Sequence, residues 1–594
     1  MDGGGAGFLG VERSLCGREW RLREADERLA LALAQRLGLP EVLARILAAR
    51  GIGLDAAPGF LEPRLRDLLP DPSAFKDMDA AAGRLAAAIR GGETIAIFGD
   101  YDVDGATSAA LLQRFCEAAG GRVLVYIPDR RAEGYGPNLP ALLRLREAGA
   151  RVIVTVDCGT TAHEPLAGAA AAGLDLIVVD HHVAEPKLPP AFAVINPNRL
   201  DESGAHGELA AVGVAFLLAV AVNRALRAAG WYQSGRTPPD LLQWLDLVAL
   251  GTICDVVPLT GVNRALAAQG LKVMQRRGNP GIAALAEVAR IDERLDAYHA
   301  AFLLGPRVNA GGRVGCADLG ARLLASDDPA AVAGLARRLD AFNAERREIE
   351  ARVLAEAIAA VETAPSPAPL AFAAGEGWHP GVIGIVAGRL KERYNRPSCV
   401  VALADGIGKG SGRSVAGVAL GAAIIAARQE GLLLNGGGHA MAAGFTVAAD
   451  KLAALRDFLA ERIGAEIGSD GLVPRLAIDG ALTPGAANAT LLDLVERLAP
   501  FGAGNAEPRF VFPGARLLYA EPVGGQHVRC TLADAGGGGR LRAIAFRCLD
   551  GPLGRALLDR MGGTLHIAGH LRRDRRVGEG AVQLQIEDAA PAAA

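Results

Sequence analysis

No CxxC pair occurs among the eight cysteines. That removes the thiolate zinc sites and leaves no evident disulfide framework; a reducing cytoplasm suits such cysteine usage. Aromatics are scarce at 5%, so a nucleic-acid surface on this chain would use base stacking sparingly. Excess positive charge is missing too. The net charge is −3, so no global basic field announces a polyanionic partner, although a local patch does not show in a total. Lysine is rare, and arginine supplies almost all the cations, which favours bidentate phosphate contacts over point charges. The opening MDGGGAGFLGVERSL lacks a basic stretch followed by an apolar core, so no signal peptide is expected. The longest apolar run, Leu209 to Val222, is too short to span a bilayer and reads as a buried helix. No repeat of solenoid period is found.

What is present suits several globular domains. The chain has 594 residues, 51% hydrophobic and 22% charged, enough to bury large cores. Residues 1–77 read as a helical segment with an Arg/Glu-rich opening, REWRLREADERLALALAQRLG. Over 78–320, apolar runs (TIAIFGD, RVIVTVD, LDLIVVDHH) alternate with Ala/Leu-rich helical stretches, the pattern of βαβ units and a parallel sheet. A connecting helix and linker follow over 321–369: Asp328 suits a cap, Pro329 suits the first helical position, and ETAPSPAP reads as linker. A second, Gly-rich α/β unit spans 370–468. The region 469–594 has short strand-like runs between Gly-rich turns, as in a small β-barrel. The fold class is therefore α/β: two α/β domains joined by a long helix, plus a C-terminal barrel.

Each apolar run in the first α/β unit is closed by an acid. Asp100, Asp102 and Asp104 follow the first, Asp157 and Asp180 the next two, and Asp255 follows LDLVALGTIC. Ligands of open parallel sheets bind beyond the carboxyl ends of the strands, so these acids converge on one crevice. A lone Asp after a strand is most often a turn or cap residue, but several independent runs all ending this way are not explained so. Unpaired carboxylates this close together are untenable unless cations neutralise them. With His181 and His182 beside Asp180, the donor set suits Mn²⁺ or Mg²⁺.

These residues also carry a resemblance. DHH at Asp180 to His182, with GDYDVDG, TVDCGTT and GTICDVVPL in that order, resembles the DHH phosphoesterase superfamily. GGGHAMAAG (Gly436 to Gly444) resembles its companion DHHA1 domain. More narrowly, GPRVNAGGR, WHPGVIGIVAGRL, GKGSGRS and APFGAGNAEPRF resemble the RecJ family of bacterial single-strand-specific exonucleases, over nearly the whole chain. The resemblance implies two divalent cations, Mn²⁺ or Mg²⁺, held by Asp100, Asp102, Asp104, Asp157, His181 and Asp255. Asp157 would bridge them, with Asp157, His181 and His182 as the catalytic set and His182 next to the scissile phosphate. It implies hydrolysis of single-stranded DNA from the 5′ end to 5′ mononucleotides, in recombination and repair.

Substrate contacts are expected from Arg130, Asn309, Arg313, Ser411, Arg413 and His439. Ser411 and Arg413 are read on a flexible Gly-rich loop whose backbone N–H groups help to cradle a terminal phosphate. The barrel is expected to be an OB fold binding single strands, with the basic run HLRRDRR and Tyr519, His527, Arg529 and Phe546 as contacts. Single-strand-binding protein and a repair helicase are the further partners implied, with no membrane, a monomer and a cytoplasmic location. Two rivals stand beside this reading: a DHH phosphatase acting on short oligonucleotides, and a strand-binding scaffold without metals.

Overall fold

The computed structural model describes residues 7–130, 132–363, 368–468, 471–534, 536–574, 576–578 and 580–592. Its first regular element of any length is a strand, β1 (Glu19–Leu22), where the Arg/Glu-rich opening suggests helix. Tertiary contact overrides local propensity here. Trp20 is fully buried, its indole N–H donates to Asp588 Oδ2 at 3.1 Å, and β1 pairs in parallel with a strand at 475–478. Helices α1 (Glu27–Leu37) and α2 (Glu41–Ala49) follow, α1 capped by Asp26. Their buried Leu33, Leu43, Ile46 and Leu47 pack with Leu491, Phe510 and Phe512. The first residues of the chain thus share a core with the last domain.

Strands β2 (Thr94–Gly99), β3 (Arg122–Tyr126), β4 (Ala150–Val156), β5 (Asp175–Val179) and β6 (Ala193–Ile195) form an all-parallel sheet in the order β3-β2-β4-β5-β6. The chain leaves the first strand to one side and returns on the other, so the topological switch point lies between β2 and β4. Helix α3 (Val103–Ala118) springs directly from the acid-rich turn after β2. Helix α4 (Ala211–Ala228) is 18 residues long, longer than the apolar run that marks it, and long and apolar enough to cross a membrane; 72% of it is buried inside the protein, where it packs as a core helix. The run before Asp255 is helix α5 (Leu245–Cys254), not a strand. An apolar run buried on every side carries no periodicity to tell the two apart.

Helix α6 (Gly305–Val314) leads to α7 (Pro329–Thr363), the 35-residue connector expected from the sequence. Asp328 caps it, accepting from Ala330 N at 3.0 Å; residues 364–367 of the expected linker lie outside the described residues. The second α/β unit holds β7 (Ala371–Glu376), helix α8 (Ile383–Tyr394), β8 (Ser398–Ala404), β9 (Ile407–Arg413), β10 (Asn435–His439) and β11 (Ala442–Ala448), in sheet order β10-β11-β9-β8-β7. GKGSGRS is therefore a strand and not a loop. Its glycines make room on one face: a Cβ at Gly410 would lie 2.1 Å from the Phe445 ring.

The last domain comprises β12 (Arg475–Ile478), β13 (Gly480–Ala481), β14 (Phe510–Val523), β15 (His527–Ala533), β16 (Arg540–Ala545), β17 (Thr564–Arg573) and β18 (Val582–Pro591). The sequence β14-β15-β16-β18-β17 closes through a β14–β17 pairing, with β16 and β18 parallel. That is a five-stranded closed barrel of the OB type.

Candidate metal centre and phosphate cleft

The turn after β2 and the turn after β4 face one another at the switch point. Asp100 follows β2 directly, is 4% exposed, and leaves its Oδ1 without a hydrogen-bond partner. Asp102 caps α3, accepting from Gly105 N at 3.0 Å. Asp104, 1% exposed, lies in the first turn of that helix and accepts from Ala211 N at 2.7 Å and Val212 N at 2.8 Å. It therefore caps α4 as well as facing the crevice. Asp157 follows β4 in the left-handed region, φ 61, a conformation Asp tolerates better than most residues.

His181 joins the two turns. Its Nε2 stands 3.3 Å from Asp157 Oδ1, 3.5 Å from Asp255 Oδ2 and 3.9 Å from Asp104 Oδ2. Neither Asp157 Oδ1 nor His181 Nε2 has a hydrogen-bond partner. The Asn198 amide donates to His181 O at 2.6 Å and holds its backbone in place. Three groups have ligand atoms within 4.8 Å of one another: Asp100–Asp102–Asp157, Asp104–His181–Asp255 and Asp157–His181–His182. The expected ligands are thus brought together, but Asp255 arrives from the C-cap of α5 and not from a strand end.

The electrostatics describe a site built for cations. Burial first, and then the charge of Asp102, pushes Asp100 up to about 8. Burial and Asp102 likewise take Asp255 to about 7. Asp104 and Asp157 are driven well above the usual carboxylate range by burial and by the surrounding carboxylates. Burial and His182 hold His181 down at about 4, so its imidazole is neutral and can ligate. A divalent cation offsets the carboxylate penalties and suits the neutral imidazole. Hard carboxylate oxygens with one imidazole fit Mn²⁺ or Mg²⁺.

Asp180 does different work. It accepts from Thr160 N at 3.0 Å, His181 N at 2.8 Å, His182 N at 3.2 Å and His182 Nδ1 at 2.7 Å. Despite its burial, these contacts and the His182 charge hold it below the usual carboxylate range. Asp180 in turn raises His182, against the effect of burial. The half-exposed His182 also stands against Tyr135, whose hydroxyl donates to Asp157 O at 3.1 Å. Tyr135 carries no signal in the sequence; it arrives from the far end of an extended loop.

The expected phosphate contacts divide. In β9, alternate residues face opposite sides, so Ser411 and Arg413 share one face and the glycines the other. The strand lies between β8 and β11, so its ladder consumes the backbone N–H groups; the expected backbone cradle does not exist. The side chains remain: Arg413 Nη1 donates to Ser411 Oγ at 3.1 Å and to Gly412 O at 2.8 Å. A Cβ at Gly384 in α8 would lie 3.0 Å from Arg413 Nη2. His439 pairs with Ala442, which pairs with Arg413. His439 is therefore exposed on the same face, two strands or roughly 10 Å away. Arg313 Nη1 donates to Gly381 O at 3.0 Å, tying the two α/β units together. Its guanidinium is held down at about 10 by burial and by repulsion from Arg130, Arg346 and Arg413. Arg130 lies over the Tyr101 ring at 5.0 Å and favours the ionised form of Asp100. Asn309 lines a neighbouring cavity of about 460 Å³ with Arg313, Arg346, Arg347 and Arg389. Arg346 escaped the sequence reading because α7 looks like an ordinary solvated connector.

On the barrel, Tyr519 and Phe546 are exposed. Arg529 pairs with Glu521, and His527 meets the Phe546 ring edge-on at 5.2 Å. Arg572 pairs with Glu507, and Arg573 with Asp493 and Glu496. Much of the basic run is thus neutralised locally; Arg575 lies outside the described residues.

Comparison with known proteins agrees with this geometry. Residues 94–252 match the DHH family N-terminal domain, 367–465 the DHHA1 domain and 478–588 the RecJ OB domain. The chain is 39% identical to the single-stranded-DNA-specific exonuclease RecJ of Dickeya dadantii, over 86% of this chain and 89% of that protein. It is 38% identical to the Escherichia coli protein of the same name, over 89% and 92%. The crystal structure of RecJ from Thermus thermophilus in complex with Mn²⁺ superposes with a TM-score of 0.80 at 31% identity, covering 97% of this chain and 80% of that one. The Mg²⁺ complex of the same protein gives 0.74 at 30% identity, over 97% and 79%.

Proposed function

We propose, from the premise that the chain belongs to the RecJ family, that it is a metal-dependent exonuclease hydrolysing single-stranded DNA from the 5′ end to 5′ mononucleotides. The observation that carries this is the juxtaposition at one crevice of orphaned acid and imidazole atoms with a buried arginine cluster.

Asp100, Asp102 and Asp157 form one cation position and Asp104, His181 and Asp255 the other, with Asp157 beside both. Divalent ions held by these residues would supply charge neutralisation for the phosphate and a nucleophile from water at neutral pH. The chain's own groups do the rest. Asp180 orients the His182 imidazole through Nδ1, leaving Nε2 to hold or deliver a proton at the scissile phosphate. Tyr135 packs across that ring and fixes its tilt. Ser411, Arg413 and Arg313 take the terminal phosphate, whose extra charge and extra free oxygen distinguish an end from an internal diester. Arg130 spans the two regions, and Asn309 and His439 flank the path.

The closed barrel next to this unit is the second contact with the strand. Both cation groups and the phosphate groups come from one chain, which supports action as a monomer. The eight free thiols support a cytoplasmic setting. The barrel surface not used by the strand is the place proposed for single-strand-binding protein and a repair helicase, within recombination and repair. The test is digestion of a long 5′-labelled single strand in Mn²⁺ or Mg²⁺. Mononucleotide release from the 5′ end, abolished by EDTA, is expected. Endonucleolytic products, or hydrolysis confined to dinucleotides, would overturn the reading.

A further inference from the structure

The motif APFGAGN, residues 499–505, belongs to the barrel domain but sits on the first α/β unit. Leu259 N–H donates to Ala503 O at 2.8 Å. A Cβ at Gly502 would lie 2.8 Å from Leu259 Cδ1, and one at Gly504 3.0 Å from Pro258 Cβ and 3.4 Å from Thr260 Cγ2. Gly504 is also left-handed, φ 68. Glycine at both points allows this approach, and at Gly504 the left-handed backbone favours no other residue.

The turn is rigid in itself. Gly502 and Asn505 exchange backbone hydrogen bonds at 3.0 and 3.2 Å. The buried Asn505 amide donates to Leu498 O at 2.9 Å and Pro500 O at 2.7 Å. Two arginines brace it. Arg264, 2% exposed, donates to Ala499 O at 2.8 Å and to Phe60 O at 2.9 Å, its guanidinium 3.8 Å over the Phe60 ring. Arg50 donates to Ala506 O at 2.7 Å and to the Asn505 side chain.

What the turn grips is the loop that starts at Asp255. Val256, the next residue, is left-handed, φ 62, although it is β-branched and 69% exposed. Such a conformation persists only where the surroundings over-determine it. Asn263 extends the grip: its amide donates to Pro258 O at 3.1 Å and to Glu208 O. Beside Glu208, the Asn198 amide donates to Gly207 O at 3.0 Å and to His181 O at 2.6 Å, and the start of α4 holds Asp104. The chain of contacts thus reaches Asp104, His181 and Asp255, one of the two cation groups. None of these contacts touches Asp100 or Asp102, and Asp157 is met only by His181 Nε2, at 3.3 Å.

We propose that the 499–505 turn is a positioning strut through which the seated barrel domain completes the Asp104–His181–Asp255 cation position, while the Asp100–Asp102 side of the other position is held apart from it. Gly502, Gly504 and Asn505 are then positioning residues for a divalent cation. This rests on the metal reading given above.

Calorimetric titration of the full chain with Mn²⁺ tests it, comparing wild type, Gly504→Ala, Gly502→Ala and Asp255→Asn. Two binding events are expected in wild type. Asp255→Asn should remove one of them, and Gly504→Ala should weaken that same event by about tenfold or more, the range for lost outer-shell support, with a clearly smaller effect on the other. A folded Gly504→Ala that binds both ions as wild type does, or loses the other event instead, overturns the strut. Should Gly504→Ala fail to fold, Gly502→Ala decides by the same criterion, because its new methyl meets only the end of the Leu259 side chain. If Asp255→Asn keeps both events at wild-type affinity, the metal reading itself falls and the strut with it.

Discussion

Arg413→Ala isolates end recognition from chemistry. In the free protein Arg413 is a cation whose charge is disfavoured by burial. It makes two local hydrogen bonds, to Gly412 O and Ser411 Oγ, and repels Arg313. Losing two such neutral-acceptor bonds costs about 1 kcal/mol each. Removing a buried like charge beside Arg313 offsets part of that. With about 1 kcal/mol left, the melting temperature should fall by no more than about 8 °C, the upper end of the shift for a domain of about 100 residues. Substrate binding is another matter. A charge-assisted contact to a terminal phosphate contributes about 1.5–3 kcal/mol, roughly 10- to 150-fold in rate if it acts in the transition state. The assay is initial rate on two otherwise identical oligonucleotides, with and without a 5′ phosphate. Arg413→Ala should lose that factor on the phosphorylated strand and little on the 5′-hydroxyl strand, with Mn²⁺ affinity unchanged. Equal slowing on both strands would refute end sensing and return Ser411 and Arg413 to domain packing.

Asp157→Ala should abolish cleavage while single-strand binding persists, measured by fluorescence anisotropy beside a nuclease assay; substantial residual Mn²⁺-dependent activity in folded protein would remove Asp157 from the centre. The acids give a pH dependence with a definite sign. Asp100 is raised to about 8 and Asp255 to about 7, against about 3.9 unfolded. Between those values the folded protein holds protons that the unfolded chain has released, so metal-free stability falls as pH rises from about 4 to 8. Cations displace those protons, so the Mn²⁺-induced rise in melting temperature should grow across the same window; a metal-free melting temperature that climbs from pH 5 to pH 8 would contradict it. A chain truncated after Gly468 should self-associate in size-exclusion chromatography, because Leu33, Leu43, Ile46 and Leu47 lose the barrel that covers them, at about 1.5–3 kcal/mol each. A monodisperse, wild-type-like product would show that α1 and α2 stand alone.

The sequence by itself determined the parallel sheet, the long connector, the barrel and the acid set. These are written in local terms: apolar runs of strand length, a cap and proline at 328–329, Gly-rich turns, and acids at fixed places after β2, β4 and β5. Convergence of the strand-end acids follows once the sheet is parallel, but that Asp100 and Asp157 are neighbours was decided by the strand order of the fold. Tertiary structure decided what local chemistry leaves degenerate. LDLVALGTIC is buried along nearly its whole length, Asp246 and Thr252 included, so only packing on all sides made it helix α5 and delivered Asp255 from a helix end. Gly-rich GKGSGRS reads as loop until Phe445 and Leu420 fill the space its missing side chains leave, which makes it a central strand with no free N–H groups. EWRL became a strand because Trp20 and the 475–478 strand reward pairing more than the local Arg/Glu pattern rewards helix. Asn263 meets Glu208 across 55 positions of chain, and Ala503 meets Leu259 across a far longer separation. No periodicity records such pairs, because only the packed core brings them within reach.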